Sequence, residues 1–284
     1  MNRPQLDGKI CLVTGTTDGM GKATAKALAE LGGEVLLVGR NPKKGTEVMR
    51  EIRQACGHDR VELLHCDLSS QSDIRALAER VNAQFPRLDV LVNNVGGVIE
   101  PRRETVDGIE YTWALNQLSY FLLTNLLLEK LKRSAPARIV NVSSYGHQGR
   151  IHFSDIEMKR DYSVFGAYMQ SKLANIMFTY ELDRRLGSSG VTANVLNPGW
   201  VGSAFGSSTG LAKRIAFAIA RLTFMKRPAQ GAETAIYLAS SPEIEGVSGS
   251  YFADKRAIRS SDESYDEEHA KRLWDVCSEM TGLS

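Results

Sequence analysis

Three groups of residues have types and spacings suited to chemistry. The first is Tyr168 and Lys172, in the stretch YMQSK. On a helix, side chains four positions apart leave the same face. A free tyrosine has a pKa of about 10, too high for a base at neutral pH, but a neighbouring cation stabilises the phenolate and draws that value down. Such a pair can give and take a proton. Alone, the same spacing is also an ordinary feature of solvated helix faces. The second is Ser144, which follows the run Arg138 to Val142. A hydroxyl there can line a crevice at the carboxyl end of a strand, or simply serve a turn after it. The third is Lys9 to Gly21, KICLVTGTTDGMG. Its apolar run ends in Thr14-Gly15, glycines follow at Gly19 and Gly21, and KATAKALAEL then carries apolar residues at helical spacing. Strand, glycine turn and helix open a dinucleotide-binding fold, because a side chain in the turn would keep the backbone from the pyrophosphate. The spacing is G-x-x-x-G-x-G rather than the commoner G-x-G-x-x-G.

The elements that must position these groups alternate along the chain. Strands are expected at Ile10–Val13, Glu34–Gly39, Val61–Cys66, Asp89–Val92, Arg138–Val142, Val191–Leu196 and Gly249–Phe252. Helices are expected at Lys43–Ala55, Gln71–Phe85, Gly108–Arg133 and Tyr168–Leu186. Strands separated by helices predict right-handed crossovers and a parallel α/β sheet covered on both faces. Ligands bind such sheets outside the carboxyl ends of the strands. Those ends carry Gly39-Arg40, Asp67, Asn93-Asn94, Ser143-Ser144 and Asn197-Pro198-Gly199. Any one is an ordinary turn; together they describe the lining of one crevice.

Composition narrows the classes. The 284 residues are 43% hydrophobic and 24% charged, ordinary for a globular protein, and are expected to form a single domain, 1–284. A net charge of +2 gives no reason to expect nucleic acid. Cys11, Cys56, Cys66 and Cys277 have neither metal-ligand nor paired spacing. No metal is expected, and Cys11 and Cys66 read as reduced, buried thiols in a cytoplasmic chain. No stretch reaches the roughly 18 apolar residues of a membrane span, and the N-terminus lacks the pattern of a signal peptide.

The motifs TGTTDGMG (Thr14 to Gly21), NNVG (Asn93 to Gly96), Ser144 of NVSS, YMQSK and NPGWV (Asn197 to Val201) follow one another as in the short-chain dehydrogenases/reductases. The chain resembles that family from about Asp7 to Phe252. RIVNVSSYGHQGRIHFSDI, YMQSKLANIMFTYEL and RLWDV resemble its retinol dehydrogenase-like branch, which has a longer segment between serine and tyrosine. The chain departs from that branch in lacking the N-terminal membrane anchor of many animal members. Val95 also replaces the alanine of NNAG, and Ser203 stands where threonine is usual.

The resemblance implies a Rossmann-type, doubly wound, mainly seven-stranded parallel sheet with helices on both faces. It also implies a catalytic set of Asn116, Ser144, Tyr168 and Lys172. In that set Tyr168 is the acid/base, Lys172 also holds the nicotinamide ribose, Ser144 holds the reacting oxygen, and Asn116 holds a water behind the lysine. The implied cofactor-binding set is Gly15, Thr17, Asp18, Gly19, Met20 and Gly21 of the turn, with Arg40, Asp67, Leu68, Asn93, Asn94 and Gly96. Tyr168, Lys172, Pro198, Gly199 and Val201 complete it. NAD-specific relatives place an acid where Gly39 stands. Here the acid is absent and Arg40 follows, suited to a bidentate grip on a 2′-phosphate, so NADP is expected over NAD.

The segment 203–228 takes the position of a substrate lid. Leu211, Ile215, Ala218, Ile219, Leu222 and Met225 form an apolar stripe beside Lys213, Arg214 and Arg221. That stripe suits a lid packed on its own core, an apolar substrate wall, or a peripheral contact with a membrane surface. A helical extension is expected over about 263–284. The expected activity is NADP-dependent interconversion of a small apolar alcohol and its aldehyde or ketone. Reduction of a C=C bond in a large ring substrate and a non-catalytic NADP sensor are the rival readings. The helices at 108–133 and 168–186 are where relatives pair, which leaves a homo-oligomer open.

Overall fold

The computed structural model describes residues 5–199 and 226–283. The expectations for Val201, Ser203 and the apolar stripe from Leu211 to Met225 lie outside the described residues. Gly199 and Lys226, on either side of that segment, stand side by side: a Cβ on Gly199 would lie 3.2 Å from the Lys226 side chain.

The strands are β1 (Ile10–Thr14), β2 (Glu34–Gly39), β3 (Val61–His65), β4 (Val90–Asn93), β5 (Ala137–Val142), β6 (Val191–Asn197), β7 (Tyr251–Ala253) and β8 (Arg256–Ile258). They form one sheet in the order β3-β2-β1-β4-β5-β6-β7-β8. The first seven pair in parallel, and the order reverses between β1 and β4, which makes that gap the crevice of a doubly wound sheet. The eighth strand is an addition to the seven expected. It pairs antiparallel with β7 through Asp254 and Lys255, both at positive φ (48° and 62°). Two such residues make a hairpin turn, but neither is the glycine or asparagine that would signal one, and all three β8 residues are exposed.

The central strands are buried on both faces because helices cover both. Cys11, Val13, Val35, Leu37, Val90 and Val92 pack with Leu28 of α1 (Gly19–Glu30), Ile52 of α2 (Pro42–Cys56) and Leu238 of α7 (Pro228–Ser240). Leu12, Leu36, Leu91 and Ile139 point the other way. They meet α3 (Gln71–Gln84), α5 (Ser119–Arg133), α6 (Val164–Leu186) and α8 (Glu267–Thr281). The C-terminal helix is held by Trp274, whose ring lies 4.9 Å from that of Phe121.

Caps set several boundaries. Ser70 accepts from the Asp73 amide at the start of α3, and Asn41 precedes Pro42, the proline that opens α2. The helix expected from Gly108 begins three residues later, as the short α4 (Tyr111–Trp113). Gly108 sits in a turn at φ 73°, and the buried Glu110 carboxylate caps α4 by accepting from the Thr112 and Trp113 amides. Between α4 and α5 the chain runs as a π-turn over Ala114–Leu118. Among the described residues no helix is long and apolar enough to cross a membrane. All four cysteines are free, and burial pushes the Cys66 and Cys277 thiols up to about 12.

Candidate active site

The glycine turn is shaped by contacts that exclude side chains. Gly15 and Gly19 have positive φ, 71° and 59°, a conformation glycine adopts without penalty. A Cβ on Gly21 would lie 2.3 Å from the Gly15 carbonyl oxygen and 2.4 Å from Asn94 Nδ2. The helix therefore starts against the turn with no room for more than hydrogen. Asp18 caps it, its Oδ1 accepting from the Gly19 amide at 2.7 Å. Thr17 and Met20 are partly buried beside the turn. The result is a glycine-lined hollow before a helix N-terminus, between β1 and β4, where backbone amides and the helix dipole suit a phosphate. These residues fit a dinucleotide.

The other expected cofactor residues divide into crevice walls and braces. Arg40 is exposed, and its Nη1 donates to the Tyr111 hydroxyl at 3.0 Å. The other side of the Tyr111 ring environment holds Arg103, its guanidinium carbon 4.2 Å from the ring centroid. Asp67 Oδ1 accepts from the Ser69 amide and hydroxyl. Gly96 lies beside the catalytic candidates: a Cβ there would be 3.3 Å from both Lys172 Nζ and Asn116 Oδ1. Pro198 and Gly199 follow β6, the Gly199 amide donating to Asn197 Oδ1.

Leu68 is buried in the core. Asn93 Nδ2 is spent inward, on Thr124 Oγ1 at 2.9 Å and Asn141 Oδ1 at 2.8 Å. Asn94 Nδ2 donates to the Thr14 carbonyl at 2.8 Å and ties β4 to the glycine turn. Leu68 and Asn93 thus turn their side chains into the core, and the partly buried Asn94 braces β4 against the glycine turn.

At the far end of the crevice the four catalytic candidates meet. Ser144 follows β5, and its Oγ accepts from the Gly146 amide at 3.1 Å. That bond leaves the hydroxyl proton free to donate, and Ser144 hydrogen-bonds the Tyr168 phenol. Gly146 lets the two approach, since a Cβ there would lie 3.3 Å from Tyr168 Cε1. His147, buried behind them, makes a 2.8 Å bond from Nδ1 to the Ser144 carbonyl, while its Nε2 accepts from the Ser261 amide. The imidazole is thus neutral with its proton on Nδ1, and burial lowers its pKa.

Lys172 lies one helical turn beyond Tyr168 on α6, as the spacing requires. It is 3% exposed, with Nζ 5.9 Å from the centroid of the Tyr168 ring and 5.5 Å from that of Tyr120. Nζ donates to the Val142 carbonyl at 3.0 Å and to Asn175 Oδ1 at 3.1 Å. Burial draws the lysine down to about 7. Tyr168 is raised above its usual value by burial, with the Ser144 bond pulling the other way. The expected lowering of the tyrosine by its lysine is therefore outweighed, because the same burial that raises the phenol also weakens the hold of the lysine on its proton.

Asn116 sits in the π-turn and is fully buried. Its side chain accepts from the Gly97 amide at 2.9 Å, and donates to the Gly97 carbonyl and Ser171 Oγ at 3.0 Å. Its main-chain carbonyl accepts from Asn175 Nδ2 at 2.8 Å. Asn175 and Tyr111 are the polar contacts that sequence reasoning missed. The signal for Asn175 was present: it is the polar residue in LANIMF, three positions after Lys172 and so on the same face.

Comparison with known proteins gives the family and the fold. The family model for short chain dehydrogenase matches residues 9–214. Mouse (Mus musculus) retinol dehydrogenase 11 is 43% identical over 280 residues, covering 98% of this chain and 88% of the mouse protein. Human (Homo sapiens) polyprenol dehydrogenase is 40% identical over 287 residues, covering 99% and 87%. Among solved structures, an uncharacterised Mycobacterium paratuberculosis protein superimposes with a TM-score of 0.79 at 31% identity, over 99% of this chain and 96% of that one. A short-chain dehydrogenase from Shigella flexneri, solved with NADP, gives 0.71 at 26%, over 90% and 100%. The chain belongs to the short-chain dehydrogenases/reductases, in their retinol dehydrogenase-like branch, and is an oxidoreductase of CH–OH and C=O groups.

Proposed function

We propose that the protein interconverts an apolar alcohol and its aldehyde or ketone with NADP as the hydride carrier, Tyr168 acting as acid and base. The observation that carries this reading is the junction of Ser144, Tyr168 and Lys172 at the carboxyl end of β5, beside a glycine turn that fits a dinucleotide. The nicotinamide supplies or takes the hydride. The chain's residues supply position and the proton. Ser144, with its oxygen already satisfied by the Gly146 amide, donates to the reacting oxygen. Tyr168 stands beside it to give that oxygen a proton in reduction or to remove one in oxidation. Lys172, when charged, favours the phenolate. Gly15, Gly19 and Gly21, with Gly96, Pro198 and Gly199, are the residues that would hold the cofactor.

Arg40 supports NADP. Its guanidinium, at the end of β2, donates to the Tyr111 hydroxyl and pairs with no carboxylate among the described residues. The retinol and polyprenol dehydrogenases among the relatives support an apolar, extended alcohol as substrate. The test is oxidation of NADPH and of NADH with a panel of aldehydes of increasing chain length. Activity with long apolar members and preference for NADPH is the expected result; inactivity across the panel with either cofactor rejects the reading.

A further inference from the structure

Lys172 is a buried ammonium site with a fixed set of acceptors. Its Nζ reaches the Val142 carbonyl and Asn175 Oδ1. The orientation of the Asn175 amide follows from its other contacts. Its Nδ2 lies 2.8 Å from the Asn116 carbonyl and 2.9 Å from Gln117 Oε1. Gln117 Nε2 is turned toward Cys277 Sγ, so its oxygen is the atom presented to Asn175. Two acceptors on one end of an amide fix the nitrogen there and leave the oxygen facing Lys172. Asn175 is completely buried, and all three of its polar bonds are made. Both Asn116 and Gln117 lie in the π-turn, so the Asn175 amide is held from that turn.

We propose that Asn175 is a positioning residue for Lys172, holding its ammonium through Oδ1 and anchoring it to the π-turn through Nδ2. This rests on the proton-transfer reading of Tyr168 and Lys172. An amide gives the ammonium an acceptor without giving it a counter-charge. Lys172 therefore stays close to its neutral point, and its charge remains available to the phenol. The groups that face Nζ are the Tyr168 ring on α6, the Tyr120 ring on α5, the Val142 carbonyl on β5, and the neutral amides of Asn116 and Asn175. Burial alone draws Lys172 down. A link through Asn175 also joins Lys172 to Asn116 directly, side chain to main chain.

Two substitutions push in opposite directions. Asn175→Ala removes an acceptor from the charged form, so Lys172 should lose its proton about one pH unit earlier, and Asn175→Asp adds a carboxylate, so it should hold the proton at least about one unit longer. In reduction of an aldehyde by NADPH, the alkaline limb of the kcat/KM profile should move down in the alanine variant and up in the aspartate variant. The 13Cε resonance of labelled Lys172, titrated without cofactor, should move the same way. A residue with a packing role only would lower activity or melting temperature and leave both limbs where they were. Unmoved limbs, limbs moving together, or two variants that do not fold overturn the proposal. A wild type that turns over no aldehyde rejects the proton-transfer reading instead, and the resonance still decides whether Asn175 sets the charge of Lys172.

Discussion

Lys172 Nζ lies over the Tyr168 ring, 5.9 Å from its centroid, and makes its hydrogen bonds elsewhere, to Val142 and Asn175. The lysine therefore acts on the tyrosine through space, while Ser144 makes the direct contact. At about 6 Å and an effective dielectric of about 20, a unit charge is worth on the order of 2–3 kcal/mol to the phenolate, enough to matter but dependent on the lysine being charged. Removing the phenol alone separates these roles. Tyr168→Phe keeps the ring over which Lys172 sits and should reduce kcat/KM by about 10²–10⁴ or more, the range of general acid–base catalysis, while NADPH binding is unchanged. Retention of more than about a tenth of the rate would show that another group moves the proton.

The burial of Lys172 has a consequence for stability. Its ordinary value of 10.5 applies in the unfolded chain, against about 7 in the folded protein. Between those values the unfolded state holds the proton and the folded state does not. Stability from this group therefore rises with pH across that window and is flat below about 7, where both states are protonated. Lys172→Met has no such slope. Thermal unfolding of the two proteins should show the wild type gaining on the variant by up to about 1.4 kcal/mol per pH unit from about pH 7 to 10. A constant difference across that range would show that Lys172 keeps its charge in the fold.

Sequence pattern carried the elements whose signal is local. The run Ile10 to Thr14 is buried throughout, and Gly21 is glycine because the turn leaves no space for a side chain. Tyr168 and Lys172 were legible because helical spacing puts them on one face and the glycine turn stands upstream in the same chain. What was not legible depended on partners distant in the chain. Asn93 and Asn94 read as crevice residues from their place at the end of β4, and the partners of their amides, Thr124, Asn141 and Thr14, lie far away in the chain. Asn175 reads as a stray polar residue until the π-turn brings the Asn116 carbonyl to it. Strand β8 is three exposed residues with no alternation to betray it.

Arg40 and Tyr111 form the second relationship open to test. The 3.0 Å bond from the guanidinium to the phenol oxygen holds Arg40 at the crevice without neutralising it. Arg40→Ala should weaken NADP binding by a factor of tens, since a charge-assisted contact to phosphate is worth on the order of 2 kcal/mol. NAD, which carries no 2′-phosphate, should bind almost unchanged. Tyr111→Phe should cost NADP less, about two- to tenfold, because it removes a neutral bond that orients the arginine. Fluorescence titration of both cofactors against both variants decides the matter; equal losses for NAD and NADP would remove Arg40 from phosphate recognition.

Gly39 sets the cost of changing that preference. The position is where NAD-specific relatives carry an acid, and the simple exchange is Gly39→Asp. A Cβ at Gly39 would lie 2.7 Å from Thr17 Cγ2, while Thr17 Cβ is 3.9 Å away. The obstacle is therefore a single methyl group of the glycine turn, and the backbone of Gly39 is not in the positive-φ region. Gly39→Asp alone should lose NADP, because its carboxylate repels the 2′-phosphate, and should gain little NAD, because Thr17 must move out of the turn. Thr17→Ala removes the methyl and keeps Cβ. The double variant should then bind NAD at least about tenfold more tightly than Gly39→Asp alone, a coupling of about 1.4 kcal/mol between two side chains in contact. Calorimetric titration of NAD against the wild type, each single variant and the double variant measures that coupling. If Gly39→Asp binds NAD as tightly by itself as with Thr17→Ala, the turn yields freely and Thr17 plays no part in cofactor choice.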